Sequence, residues 1–305
     1  MEKCNKIVIG TALFGLNYGQ AQSKLRIDDR VLEDLLDYCF AKGVNVLDTA
    51  PSYGDAEERI AHHINTKKHV EYPVLEIITK TPHFDSQATK TQLYKIFKTS
   101  VEKFKEKINT RVKLTLLCHQ PDALMNSNRS DVYDALSALR QEGIVDKIGL
   151  SIYEAHQIEG IESNWSLDVL QLPLNVFDQR CENSGGVHAL RSKGTEIHAR
   201  SIFLQGLLLQ STKDLNGYFK CGAKFNALTE FEKFVETHNI SKLFACLNYA
   251  LHAGCVDKVI IGVHDKEELK SIMDVIGHGK FQNPIDFKKF SENDVDLIDP
   301  RRWSR

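Results

Sequence analysis

A chain of 305 residues with 42% hydrophobic and 26% charged residues can bury a large core, and its formal net charge of -2 leaves no cationic excess to hold nucleic acid or an anionic membrane. Seven cysteines (Cys4, Cys39, Cys118, Cys181, Cys221, Cys246, Cys255) form no CxxC pair and no zinc-like spacing. The N-terminal MEKCNKIVIG is too weakly apolar for a signal peptide and no run reaches about 18 apolar residues, so a reducing cytoplasm and a small-molecule partner are expected, with no metal.

A β-rich run opens at Lys6 (KIVIGTALFG), and its polar continuation through Asn17, Tyr18, Gly19 and Gln20 reads as a loop able to line a site. Asp28 or Asp29 caps a helix whose Val31, Leu32, Leu35, Leu36 and Phe40 recur at helical spacing, and Gly43 closes it. The stretch VNVLDTAPSYG (44–54) reads as a buried strand ending in Asp48, then a turn carrying Pro51, Ser52, Tyr53 and Gly54. A helix over 55–64 follows, with Glu57, Glu58, His62 and His63 expected on its solvated face. VLEIITK (74–80) is a strand ending on Lys80. Leu93, Ile96, Phe97, Val101, Phe104 and Ile108 mark a long amphipathic helix, with Lys98, Lys103, Lys105 and Lys107 on its polar side.

KLTLLCHQP runs as a strand to Cys118 and His119 and is stopped by Pro121. A helix on Val132, Ala135, Leu136 and Leu139 ends at Gly143. KIGLSI and the segments 167–174, 197–204 and 259–263 complete eight strand candidates, with helical segments over 187–191, 229–237, 243–253 and 267–276. The tail over 291–305 reads as a short helix ending near Asp299 and Pro300, then a polar coil with Trp303. Strict alternation demands helical crossovers between parallel strands, and eight such units fit a closed (β/α)8 TIM barrel, one domain over 1–305 with a short tail from about 290. The irregular piece between Leu208 and Ala227 is the candidate substrate lid.

Barrel strands present their C-terminal ends on one rim, which brings together Asp48, Tyr53, Lys80 and His119. Taken singly, Asp48 is a turn cap, Tyr53 a packing residue and His119 a structural histidine. Together they are coherent: the Lys80 cation favours the Tyr53 phenolate, Asp48 balances Lys80, and His119 orients a carbonyl that Tyr53 protonates. The set suits no metal, and no serine or cysteine stands with a base. Cys118 points away from His119 along the strand. Carbonyl reduction needs a hydride that side chains cannot supply, which implies a nicotinamide cofactor.

The chain resembles the aldo-keto reductases, in their bacterial branch, over nearly its whole length. The matches are GTALFG at 10–15, LDTAPSYGDAE at 47–57, ITK at 78–80, LLCHQP at 116–121, IGLS at 148–151, LQLPLNVFDQR at 170–180 and ARSIFLQGLL at 199–208. The resemblance implies an NAD(P)H-dependent barrel oxidoreductase that turns an aldehyde or ketone into an alcohol, with Tyr53 as proton donor, Lys80 and Asp48 as its tuners and His119 orienting the carbonyl. It also implies that Ser151, Gln171 and Asn175 hold the nicotinamide carboxamide and that Gly10, Thr11 and Ala12 line the cofactor. Arg200 stands where many members stack an aromatic on the nicotinamide. Ser201, Phe203, Leu204, Gln205, Gly206 and Leu207 match the loop past the pyrophosphate.

After the last strand the family commonly places basic and hydroxyl residues around the adenosine 2′-phosphate. Here the run reads Gly262, Val263, His264, Asp265, Lys266, Glu267, Glu268, with His264 and Lys266 left as phosphate contacts. Either NADP(H) or NAD(H) is therefore expected. The pieces near GTALFG and SIFLQGLL are similar to those of bacterial relatives in surface-polysaccharide synthesis, which points to a sugar-derived carbonyl. The alternatives are a catalytically weak, nicotinamide-binding regulatory or scaffold protein on the same barrel, and a dehydratase or lyase using the same phenol and lysine. Substrate and oligomeric state are not legible in the residues.

Overall fold

The computed structural model describes residues 4–17, 25–67, 74–108, 112–125, 129–278 and 283–303. The sequence loop at Tyr18, Gly19 and Gln20 lies outside them. The strands β1 (Ile7–Gly10), β2 (Val46–Asp48), β3 (Glu76–Lys80), β4 (Lys113–Cys118), β5 (Lys147–Ser151), β6 (Val169–Pro173), β7 (Glu196–Arg200) and β8 (Lys258–Gly262) pair in chain order, all parallel, and β8 closes on β1. Parallel neighbours cannot be joined by a tight turn, and the long crossovers carry helices α1 (Ala12–Gly15), α2 (Asp29–Ala41), α3 (Ala56–Thr66), α4 (Lys90–Glu106) and α5 (Arg129–Gln141). They are followed by α6 (Gly185–Ser192), α7 (Gly222–Thr237), α8 (Lys242–His252), α9 (Lys266–Gly277) and α10 (Val295–Ile298). After β5 the crossover holds a 3-10 turn, Ala155–Gly160.

Local chemistry explains the boundaries. Asp28 caps α2 by accepting the Arg30 N–H, and the chain leaves that helix through Gly43 at a φ of 77°. Thr89 and Gln92 form a reciprocal capping box on α4. One strand face packs outward on the helices through Ile9, Leu47, Ile77, Leu116, Leu170 and Ile261. The other fills the barrel with Val8, Val46, Ile78, Leu117, Val169 and Ile260. Side chains alternate along a strand, so each interior residue is followed two positions later by another inward-facing one: Gly10, Asp48, Lys80, His119, Gln171 and Gly262. The apolar plug is the floor of the site.

Several boundaries differ from those the sequence predicts. The strand expected over 197–204 stops at Arg200, because Ser201, Leu204, Gln205 and Gly206 turn into the left-handed region at φ 61°, 48°, 53° and 88°. The helix expected over 229–237 starts at Gly222, and 3-10 turns at Leu204–Leu209, Thr212–Asp214 and Gly217–Phe219 fill most of the supposed irregular loop. On α3, Glu57 and His63 are buried where solvated residues were expected. Glu57 accepts from the Thr79 hydroxyl at 2.8 Å, and His63 Nε2 lies 3.3 Å from Asp37. The buried Arg59 donates to the carbonyls of Phe14 and Ile27 and to Asp29, tying the segment after β1 to this helix.

The Tyr53 turn is set by a close backbone approach. A Cβ on Gly15 would lie 1.9 Å from the Tyr53 carbonyl oxygen, and Gly54 sits at φ 59° with its own Cβ position 2.4 Å from the Gly15 oxygen. Neither atom is a flexible side-chain end, so Gly15→Ala must displace the turn. We expect this variant to fold with the helical circular dichroism of the wild type and to lose at least about tenfold in kcat/KM if Tyr53 is the proton donor that the resemblance implies, since misplacing such a group by about 1 Å can cost 10²-fold. Unchanged kcat/KM in the folded variant would contradict this account of the turn.

Candidate active site

Lys80, 1% exposed, ends β3 inside the barrel mouth and donates to Asp48 Oδ1 and to the Thr49 carbonyl, both at 2.8 Å. Asp48, 3% exposed, accepts a second hydrogen bond on Oδ2 from Gln171 Nε2 at 2.7 Å. Gln171 Oε1 in turn accepts from the Ser151 hydroxyl at 3.1 Å. The Asp48 carbonyl accepts from both the amide and the hydroxyl of Thr11 at 2.9 Å. A buried carboxylate with two donors and a buried ammonium with two acceptors satisfy each other, which is the condition for keeping such charges out of water. Burial draws the Lys80 ammonium below its usual range, and the Asp48 charge opposes that.

Tyr53 is half-buried, and its ring centroid lies 5.2 Å from Lys80 Nζ. His119 follows β4, with its amide donating to the Thr81 hydroxyl at 3.1 Å. Burial, aided by the positive charges of Lys80 and Arg200, pulls the His119 imidazole down to about 4, so near neutrality it is an uncharged donor. This has a measurable consequence. The kcat/KM profile should show no His119 inflection near pH ~6.5, the ordinary value, because burial holds the imidazole down to about 4. A break between pH ~6 and ~7 that vanishes in His119→Gln would contradict it. Cys118 faces away, buried, with Sγ 3.7 Å from the Gln120 carbonyl and its thiol raised to about 11, which leaves it inert.

Asp48, Tyr53, Lys80 and His119 all line one cavity of about 810 Å³. Gly10, Thr11, Ala12, Ser151, Gln171, Arg200, Ser201, Phe203, Gln205, Gly206, Gly262 and Glu268 line it too. The remaining candidates, Asn175, Leu204, Leu207, Val263, His264 and Lys266, stand off the wall of this cavity. Leu204, Leu207 and Val263 are buried in the apolar core and do not line the cavity. Asn175 accepts from the amides of Phe177 and Asp178 and donates to the Ser201 carbonyl, so it shapes the turn. His264 stands beside Asp265, and Lys266 pairs with Asp34 at 3.4 Å, both off the cavity wall.

The supposed lid over 208–227 contributes Leu209 and nothing beyond it. Its Leu215 and Phe219 are buried, and Phe219 meets Trp303 edge-to-face at 4.9 Å. The wall is instead built by the tail, through Ile298, Asp299, Pro300 and Arg301, together with Tyr153, Asp178 and Arg180. Sequence reasoning missed these residues. The one available signal was the terminal Trp303, which is buried rather than in a polar coil and donates to the Leu297 carbonyl at 3.2 Å.

The cavity suits a dinucleotide. At Gly206 and Gly262 a Cβ would meet nothing within 4 Å, so the backbone opens into the space there. Ser201, Gln205 and Gly206 on this wall have left-handed backbone, a conformation from which anion-binding nests of peptide groups are built. Ser241 and Lys242 bring the N-terminus of α8 to the wall, and Glu268 and Ser271 bring the first turns of α9.

Such a barrel, with its buried ion pair and phenol at the strand ends and room for a dinucleotide beside them, is of the nicotinamide-dependent oxidoreductase class. The model of the Aldo/keto reductase family matches residues 6–286, and the chain belongs to that family. It is 24% identical over 249 residues to the uncharacterized oxidoreductase YqkF of Bacillus subtilis, covering 77% of this chain and 79% of that one. It is 21% identical over 282 residues to a D-arabinose 1-dehydrogenase of Saccharomyces cerevisiae, covering 88% and 82%. Among solved structures, the holo form of the aldo-keto reductase AKR11C1 from Bacillus halodurans aligns over 98% of this chain and 95% of its own, with a TM-score of 0.71 at 16% identity. A putative aldo-keto reductase from Pseudomonas aeruginosa aligns over 91% of each chain, with a TM-score of 0.62 at 20% identity. The protein is an NAD(P)H-dependent oxidoreductase of this family, whose members act on small carbonyl compounds. No helix among the described residues is long and apolar enough to cross a membrane.

Proposed function

We propose that the protein reduces an aldehyde or ketone to an alcohol, that Tyr53 gives the proton, and that NAD(H) is preferred over NADP(H). The observation that carries this is the meeting of Tyr53, His119 and the satisfied Lys80–Asp48 pair on one cavity. When bound, the reduced nicotinamide supplies the hydride. The chain's own residues do the rest. Neutral His119 donates a hydrogen bond to the carbonyl oxygen and fixes its position. Tyr53 donates its phenolic proton to that oxygen as negative charge develops, and the Lys80 cation stabilises the phenolate left behind. Asp48, tied also to Gln171, keeps Lys80 charged and in place. Gly10, Thr11, Ala12, Ser151, Gln171, Ser201 and Gly262 would hold the cofactor.

The cofactor preference rests on Glu268. It lines the cavity from α9 and accepts the His264 amide at 2.9 Å, while Lys266 is engaged by Asp34 and Lys242 by Glu232 at 2.7 Å. A 2′-phosphate would face a carboxylate whose neighbouring cations already have carboxylate partners, and like-charge juxtaposition costs several kcal/mol. Calorimetric titration should give NADH a dissociation constant at least about tenfold lower than NADPH, which corresponds to about 1.4 kcal/mol. Tighter NADPH binding would overturn the preference. Cofactor binding with no turnover on any carbonyl would overturn the reductase reading in favour of a regulatory protein.

A further inference from the structure

The cations that line the cavity differ in how they are neutralised. Arg180 holds Asp178 through two hydrogen bonds at 2.8 and 2.9 Å. Arg301 grips Asp299 with its Nε at 2.9 Å and its Nη2 at 2.6 Å, and lies 3.7 Å from Glu154. Lys80 has Asp48. Among the described residues, Arg200 has neutral acceptors, the Ile152 carbonyl at 2.8 Å and the Ser201 hydroxyl at 3.4 Å, and no carboxylate within 4.0 Å of its guanidinium. It is half-buried, lines the same cavity as the four reacting-centre residues, and its charge is felt by both Lys80 and His119.

Tyr153 positions this group. The Arg200 guanidinium lies 4.3 Å and the Arg301 guanidinium 3.8 Å from its ring centroid, so the tail residue is stacked over the same ring as the strand-end residue. A guanidinium is always protonated, and a half-buried cation without a counterion is costly unless an anion arrives with the ligand.

Resting on the reductase reading, we propose that Arg200, held against Tyr153 and walled by Arg301, is a specificity residue that pairs with a carboxylate on the substrate, making the preferred substrate a carbonyl compound with one carboxylate. One uncompensated positive charge matches a singly charged carboxylate, and the planar guanidinium fork matches its two oxygens. The cofactor's phosphates are expected at the glycine-lined loop that begins at Ser201 and at the helix N-termini, while the Arg200 guanidinium is turned to the Ile152 carbonyl and the Tyr153 ring.

The test compares 4-carboxybenzaldehyde with benzaldehyde, which differ only in the carboxylate, by turnover and by calorimetric binding to the protein with oxidised cofactor. Wild type should favour the carboxylated aldehyde by at least about tenfold in kcat/KM, and Arg200→Met should abolish that ratio whatever it does to either rate alone. Arg200→Lys, which keeps charge but not the fork, should restore part of it, and Tyr153→Leu should weaken it by loosening Arg200. A wild-type ratio near one, or a ratio unchanged in Arg200→Met, overturns the inference and leaves the reductase reading standing. If neither aldehyde is turned over, Arg200-dependent binding of the carboxylated compound still supports the subsite, and the reductase reading is decided by turnover across other carbonyl compounds. Absence of such binding overturns the subsite. A preference for glyceraldehyde 3-phosphate over glyceraldehyde that exceeds the carboxylate preference overturns the assignment of a singly charged group.

Discussion

Tyr53→Phe should lower kcat/KM for carbonyl reduction by about 10²–10⁴-fold, the span that a positioned proton donor contributes, while the dissociation constant of the cofactor stays as in wild type. The ring is retained, so the packing of Tyr53 against the apolar core and the 5.2 Å approach of Lys80 Nζ are preserved. Only the hydroxyl is removed, and with it the proton that would neutralise the developing alkoxide. His119 cannot replace it: its imidazole is uncharged down to about 4, and as a neutral donor it holds the oxygen without delivering a full proton easily. Steady-state rates beside a cofactor titration give the result directly. A folded variant with wild-type turnover would contradict the role of Tyr53.

Lys80→Met should destabilise the protein by about 3–5 kcal/mol, the cost of breaking a buried ion pair from one side. Methionine fills much of the volume, so lost packing is small, but it leaves the Asp48 carboxylate, 3% exposed, with the Gln171 amide as its remaining side-chain donor. The Thr49 carbonyl loses its 2.8 Å partner as well. Urea unfolding followed by circular dichroism reads the difference, and a loss below about 1 kcal/mol, the scale of an exposed pair, would contradict the buried geometry. Activity should fall too, since the phenolate of Tyr53 loses its neighbouring cation. The double substitution Lys80→Met with Asp48→Leu should recover much of the stability and none of the activity, because an apolar pair of similar volume replaces a buried ion pair at little cost.

The barrel was legible because its signals are local and repeat. Apolar strand runs alternating with helical spacing required a parallel sheet, and period-two alternation set Asp48, Lys80 and His119 on the inner face, one pleat above Val46, Ile78 and Leu117. Failures arose where contacts depend on distant elements. Glu57 and His63 look like helix-surface residues in sequence; Glu57 is buried against the Thr79 hydroxyl of β3, and His63 is buried beside Asp37 of α2 with neither ring nitrogen hydrogen-bonded among the described residues. Ile202 and Leu204 extend an apolar pattern that reads as strand, yet they are buried from a turning, left-handed backbone, because pattern reports burial and not dihedral angles. Arg301 stands at the far end of the chain, and nothing near it in sequence says that it meets Tyr153. The tail reaches the cavity because Trp303 is buried against Phe219.

Arg200 illustrates the limit and the gain together. The sequence set it inside a strand expected over 197–204, where the structure ends β7 at Arg200, and a stacked position on the nicotinamide followed from resemblance. Its neighbours are Ile152, Ser201 and Tyr153, which leaves its charge with no paired carboxylate among the described residues.

The central claim, hydride transfer to a carbonyl carbon in this cavity, is tested most directly by incubating the protein with NADH carrying deuterium at both C4 positions and a panel of aldehydes and analysing the alcohols by mass spectrometry. The account predicts one deuterium at the carbinol carbon of at least one product, formed about 10²–10⁴-fold more slowly in Tyr53→Phe. Alcohol formed without deuterium, or no alcohol from any aldehyde although the cofactor binds, would contradict it.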